Sequence, residues 1–265
     1  AQVDYFVIGR RLDATALGLY TRAFNFVTLP VSTLAQMLYP VLFPAFSGLQ
    51  HDLPRLRAAY GRVLTSITLI GFPLLALLGV TAPELIPIVL GKQWTGAVLP
   101  TQIMAAMAAI HLIGNPSGAA VKAVGKVYLE WWTQIARIGL MAPAVWFAAT
   151  WGILGVAWSV LIVYVTLLPL IVYLLRYCTG FGFRDLLRAL AVPVLLGLST
   201  LLSSIAARSL FLHLSAPPIV VLSAAVVAGV AAIVALLWVV RPEVLSDLAT
   251  VMPSRLGDSR SDEVR

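Results

Sequence analysis

Charge is scarce in this sequence. Only 11% of its 265 residues are Asp, Glu, Lys or Arg, while 60% are hydrophobic. A soluble fold of this length needs roughly a quarter charged residues to cover its core, so a water-solvated globule is excluded. Cysteine occurs once, at Cys178, which excludes an internal disulfide and a cysteine-rich metal site. Histidine occurs three times and acids are few and scattered, so neither a metal cluster nor a carboxylate pair can be drawn. No Gly-rich phosphate loop followed by Lys-Ser/Thr is present, and no hydrolytic triad is visible. These gaps leave no catalytic site and call for no cofactor.

What is abundant is apolar sequence in blocks of about 20 residues, separated by short basic or Gly/Pro-containing joints. Helices crossing a hydrocarbon layer have that length and must close every backbone hydrogen bond internally. The mean hydropathy of +0.96 fits that reading, and the fold class expected is an all-α polytopic transmembrane helix bundle. The net charge of +7 could suggest nucleic acid. The basic residues sit in the joints rather than in one stripe, however, so they answer to membrane topology, and no nucleic acid is expected as a partner. Cys178 lies in one of these joints and reads as incidental.

Residues 1–12 lack an initiator Met and a signal peptide and are too short to span. They read as the tail of a helix whose start is missing, from a longer natural protein. Full spans are expected at about 16–47, with interruptions at Pro30, Pro40 and Pro44, at 60–81, ending before Pro83, and at 97–121. Further spans are expected at 127–149, 153–175, 189–207 and 217–240. Residues 83–94 read as a turn with a short interfacial helix. From Arg241 the tail is polar, with at best a short helix near 244–250.

Seven spans joined by short connections place the joints alternately on two sides. One set, near 50–62, 122–126, 176–188 and the tail, carries Arg55, Arg57, Arg62, Lys122, Lys126, Arg176, Arg184, Arg188 and Arg241. The other, near 10, 90, 151 and 210, carries Arg10, Arg11, Lys92 and Arg208. The positive-inside bias puts the richer set, and with it the C-terminus, in the cytoplasm. Trp94, Trp131, Trp132, Trp146, Trp151 and Trp238 fall near expected helix ends, where indoles lie at headgroup level.

Polar residues inside the spans are the candidate functional groups. Arg22, Asn25, Thr33 and Gln36 project within about 60° of one another around the first span, with Pro30 as a bend in the same helix. That face is either a wet surface or bundle packing, with Arg22 snorkelling to the headgroups. In the third span His111, Asn115, Gly118 and Lys122 form one stripe, and Asn115-Pro116 should open the helix near its middle. His111 is either a packing residue or a proton relay. In the fourth span Glu130, Gln134 and Arg137 share a face. Arg137 lies about 16 Å beyond Lys126, too deep to reach the headgroups, so it must face protein or a water-filled cavity. It is either one member of a structural pair with Glu130 through Gln134 or a cation facing substrate.

The segments Asp4-Tyr5-Phe6-Val7-Ile8-Gly9-Arg10 and Leu12 to Ala23 resemble the opening of the second half of bacterial polysaccharide exporters. So, in the same order, do Leu29-Pro30-Val31, Leu42 to Ser47, Asp52 to Tyr60, Ala82 to Pro87 and Gly91-Lys92-Gln93-Trp94. These exporters fall within the multidrug/oligosaccharidyl-lipid/polysaccharide exporter superfamily. The likeness is strong to about residue 150 and only hydropathic beyond it.

It implies two six-helix lobes around a central cavity. Residues 1–12 would end a truncated helix, 13–177 would complete the C-terminal lobe with five helices, 178–240 would be two additional helices, and 241–265 a cytoplasmic tail. It also implies flipping of an undecaprenyl-diphosphate-linked oligosaccharide across the bacterial inner membrane for surface polysaccharide assembly. Implied partners are the missing N-terminal lobe, membrane lipids, and a polysaccharide polymerase or glycosyltransferases. Arg22 and Arg137 would receive the diphosphate; Asn25, Gln36, His111, Asn115 and Gln134 are further substrate candidates, and Pro30, Pro116 and Glu130 structural or gating ones. Competing readings are a peptidoglycan-precursor flippase, a cation-coupled multidrug exporter of the same fold, and a non-transporting scaffold.

Overall fold

The computed structural model describes residues 3–249, and among these it contains helices and turns but no strand. The helices are α1 (Val3–Arg11), α2 (Ala14–Ser47), α3 (Leu53–Val89), α4 (Val98–Gly114), α5 (Ser117–Ala123), α6 (Val127–Ala148), α7 (Gly152–Thr179), α8 (Phe183–His213) and α9 (Pro218–Ala249). Five stretches are long and apolar enough to cross a membrane: Leu53–Val89, Lys92–Ala123, Val127–Thr179, Phe183–His213 and Pro218–Trp238. The third of them holds the α6–α7 pair. The chain is an all-α, multi-pass membrane helix bundle.

The ends of these helices follow from local chemistry. Asp13 caps α2 by accepting from the Ala16 N–H at 2.7 Å, and Asp52 caps α3 by accepting from Arg55 N–H at 3.1 Å. α7 closes on Gly180 at φ 75°, a left-handed conformation that favours glycine. Two residues on, the Gly182 N–H donates to the Asp185 carboxylate at 2.8 Å and α8 begins. The expected joint at 176–188 therefore shrinks to three residues, because Arg184, Asp185 and Arg188 lie in the first turns of α8. The helix expected near 244–250 is the end of α9, which runs unbroken to Ala249; residues beyond it lie outside the described part.

Proline does not end the helices as expected. α2 continues through Pro30, Pro40 and Pro44, and α3 through Pro73, Pro83 and Pro87 to Val89. Pro83 has no N–H to give to the carbonyl of Gly79, one turn back. Gln102 of α4 supplies the donor, its Nε2 lying 2.9 Å from that oxygen. α8 repeats the arrangement. Pro193 frees the Ala189 carbonyl, and the Thr65 hydroxyl of α3 donates to it at 3.0 Å. At these two positions a neighbouring helix satisfies the carbonyl that proline leaves open, and that carbonyl becomes a joint between helices.

The packing arranges the joints in two layers. Arg57 donates to Asp185 through Nε and Nη2 at 3.0 and 2.7 Å, joining the starts of α3 and α8. Arg208 donates to Glu84 at 2.8–3.1 Å, joining their far ends, so the two helices run parallel. α9 returns against α8, with the Ser204 hydroxyl donating to Ala225 at 2.9 Å and Gly229 close to Thr200. Lys126 stacks on Tyr177 at 3.9 Å, Arg11 on Trp146 at 3.9 Å, and Arg22 approaches the Trp94 ring at 5.3 Å. The Arg57–Asp185 and Lys126–Tyr177 contacts join residues near one expected set of joints, and the Arg208–Glu84 and Arg11–Trp146 contacts residues near the other.

Candidate functional site

The residues singled out by depth and polarity divide between two places. His111, Asn115, Glu130, Gln134 and Arg137 line one cavity of about 240 Å³ between α4, α5, α6 and α7. Arg22, Asn25 and Gln36 lie elsewhere, on the exposed face of α2, with Leu29 and Thr33 exposed among them.

The cavity exists because α4 stops. Asn115 and Pro116 separate α4 from the seven-residue α5, which offsets the wall and leaves Gly114, Asn115, Ser117 and Gly118 facing α6. Pro116 itself is buried behind this wall. Gly118 has a steric role here, because a Cβ at that position would stand 3.1 Å from Oε2 of Glu130. The opposite wall is α7, and Tyr164 brings its ring to 5.2 Å from His111 in an edge-to-face contact.

Along α6 the polar groups form a relay. Gln134 donates through Nε2 to Oε1 of Glu130 at 3.0 Å, and Arg137 donates through Nη2 to Oε1 of Gln134. Arg137 and Glu130 form no direct salt bridge; a neutral amide stands between them. Arg137 also makes a hydrogen-bonding contact with Tyr164; guanidinium has five N–H donors, so these two contacts leave it with capacity for an anion or water in the cavity. Tyr164 also lies within electrostatic reach of Asp4.

Asp4 and Tyr164 were not among the candidate site residues. Asp4 is buried in α1 and accepts from the Tyr20 hydroxyl at 2.9 Å, while its second oxygen has no partner among the described residues. Tyr5 packs edge-on against both Tyr20 and Phe24, and Phe24 stacks on Tyr20. An acid one turn inside an apolar segment was the available signal for Asp4. Tyr164 gave none beyond a single hydroxyl in an apolar span.

On α2, Arg22 leans on Trp94, which holds its charge at the end of the bundle where α3 passes into the turn before α4. Asn25 and Gln36 are exposed farther along the same helix, and Pro30 sits between them, half-buried. Exposed polar groups along a helix otherwise packed against α4 and α5 mark a face left uncovered by this chain. Among the described residues no group of three or more His, Cys, Asp or Glu could hold a metal ion.

Comparison with known proteins agrees with this architecture. Residues 1–99 match the family of polysaccharide biosynthesis proteins. The chain is 29% identical over 203 residues to the lipopolysaccharide biosynthesis protein WzxC of Escherichia coli strain K12, covering 76% of this chain and 41% of that protein. It is a relative of polysaccharide-biosynthesis membrane proteins. A second relative is the teichuronic acid biosynthesis protein TuaB of Bacillus subtilis strain 168, at 27% identity over 197 residues, 74% of this chain and 41% of that protein. A membrane protein of the cps region of Klebsiella pneumoniae is 31% identical over 157 residues, 59% of this chain and 32% of its own length. The chain thus spans about two-fifths or less of these relatives. No solved structure matches it significantly.

Proposed function

We propose that the protein to which this chain belongs translocates an undecaprenyl-diphosphate-linked oligosaccharide from the cytoplasmic to the periplasmic leaflet of the bacterial inner membrane, by alternating access. The observation that carries the reading is Arg137, a cation far from either helix end, facing an internal cavity and bonded to a neutral amide. A charge at that depth is costly unless it serves a pathway or a partner. Its Glu130 partner is engaged indirectly through Gln134, so the guanidinium fork remains suited to a diphosphate. Relatives named for lipopolysaccharide and teichuronic acid biosynthesis support a saccharide cargo.

On this reading residues 13–177 complete one lobe and 178–240 add two helices. The exposed Arg22, Asn25 and Gln36 face of α2 meets the other lobe across the substrate path. His111, Asn115 and Gln134 contribute hydrogen bonds beside Arg137. Pro30 and Pro116 are the points at which helices bend as the lobes rock, and Glu130 holds Gln134 in position. The C-terminus lies in the cytoplasm, where polymerase and glycosyltransferase partners would act. A cavity whose deep, incompletely bonded group is a cation suits an anionic lipid better than a cationic drug, which disfavours the multidrug reading. Reconstituting the full-length protein in liposomes with a fluorescent lipid-diphosphate oligosaccharide tests the proposal. Leaflet transfer is expected, and its absence in folded protein would refute it.

A further inference from the structure

A larger hollow, about 750 Å³, lies between α3 and α8 at the end where both helices begin. It shares no lining residue with the Arg137 cavity. At its mouth the two helices are pinned by the Arg57–Asp185 pair, and farther in by the Thr65 hydroxyl on the Ala189 carbonyl. Small side chains at Ala58, Gly61 and Ala189 keep its floor low. Gly61 in particular leaves room for the Phe181 ring, which a Cβ would meet at 3.4 Å.

The hollow is graded in polarity. Its mouth carries Arg57, Arg62 and Arg188 against one carboxylate, Asp185. That carboxylate is already occupied by Arg57 and the Gly182 N–H. Arg62 and Arg188 are exposed and enter no salt bridge among the described residues. Deeper, the walls become Leu69 and Val192. Arg62 to Leu69 is about 10 Å of helix, enough to hold the upper half of an extended acyl chain. Two forked cations within the first turns of α3 and α8, above an apolar channel, have the polarity of an amphiphile turned inside out.

We propose that this groove seats an acidic phospholipid, with its phosphate between Arg62 and Arg188 and an acyl chain along Leu69 and Val192. The bound lipid bridges α3 and α8 beside their ion pair and so fastens the α8–α9 hairpin to the bundle. This site is separate from the translocation path, and its test does not depend on transport.

Native mass spectrometry of the full-length protein, released from nanodiscs of mixed phosphatidylglycerol and phosphatidylcholine, reads the preference directly. Two arginines near a headgroup predict roughly 30-fold retention of phosphatidylglycerol over phosphatidylcholine. Arg62→Gln with Arg188→Gln should bring that preference to within about threefold, whereas Lys92→Gln at the other end should leave it intact. Gly61→Leu should reduce retention with both arginines present, because it fills the channel. A photoactivatable phosphatidylglycerol on the unmutated protein should label α3 between 58 and 69 and α8 between 188 and 192. Labelling elsewhere would overturn the proposal. So would an undiminished preference in the double variant, or displacement of phosphatidylglycerol by undecaprenyl diphosphate at this groove in an equimolar mixture.

Discussion

Replacing Gln102 with Leu removes the amide that donates to the Gly79 carbonyl, 2.9 Å away, in place of the N–H that Pro83 lacks. An unsatisfied carbonyl inside a protein costs about 1–3 kcal/mol. Hydrogen bonds between helices in membranes average closer to 0.6 kcal/mol and reach about 1.7. Gln102 and Gly79 are both half-buried, so a loss of about 1 kcal/mol is expected. The origin of that loss can be isolated, because Pro83→Ala restores an N–H that reaches the same oxygen. In the Pro83→Ala background the Gln102→Leu change should cost little. A double-mutant cycle on the full-length protein, followed by reversible unfolding in mixed micelles, should therefore give a coupling energy near 1 kcal/mol. Coupling below about 0.3 kcal/mol, the usual scatter of additive sites, would refute the idea that Gln102 substitutes for the missing donor.

Other consequences follow from the same packing. Arg208→Met leaves the buried Glu84 carboxylate unpaired; it should destabilise toward the lower end of about 3–5 kcal/mol, since Arg208 is partly exposed, and Glu84→Gln added to it should recover much of the loss in a thermal-unfolding measurement. A Cβ at Gly155 would overlap the Ala148 carbonyl oxygen and stand 2.8 Å from Cβ of Trp151, so Gly155→Ala should cost about 1–3 kcal/mol and lower membrane abundance on immunoblots. Cysteines placed at Arg55 and at Ser259 should both resist an impermeant thiol reagent in intact cells and react once the membrane is opened; labelling of either from outside would reverse the proposed orientation.

The membrane class was legible because hydropathy is a property of every residue in a span. Joint charges gave the alternation for the same reason, since Lys126, Arg176 and Arg188 each sit at a helix end whatever the helices then do. The break between α4 and α5 was also legible, because Asn115-Pro116 acts on its own backbone. The Glu130, Gln134, Arg137 relay could be drawn because helical spacing alone brings those three together. Contacts between distant segments could not. Arg57 and Asp185 are 128 residues apart, and Glu84 and Arg208 are 124 apart; nothing local announces either pair. Proline misled for a related reason. Its local effect is to end helices, but at Pro83, where the span was expected to stop, Gln102 reaches in from α4 and supplies the missing donor. The Arg22 face of α2 and the Arg137 cavity were placed in one list by polarity, and only packing separates them.

The central claim is that Arg137 presents its charge to a lipid diphosphate. The decisive measurement is the leaflet-transfer rate of a fluorescent lipid-diphosphate oligosaccharide in liposomes containing equal amounts of folded full-length protein. A charge-assisted hydrogen bond made to the passing diphosphate contributes about 1.5–3 kcal/mol, so Arg137→Gln should slow transfer roughly ten- to 150-fold. Arg137→Lys should recover part of the rate, keeping the charge without the fork. The double variant Glu130→Gln with Arg137→Gln should remain folded and slow. Return of the unmutated rate in that double variant would contradict the claim and leave Arg137 as the structural partner of Glu130.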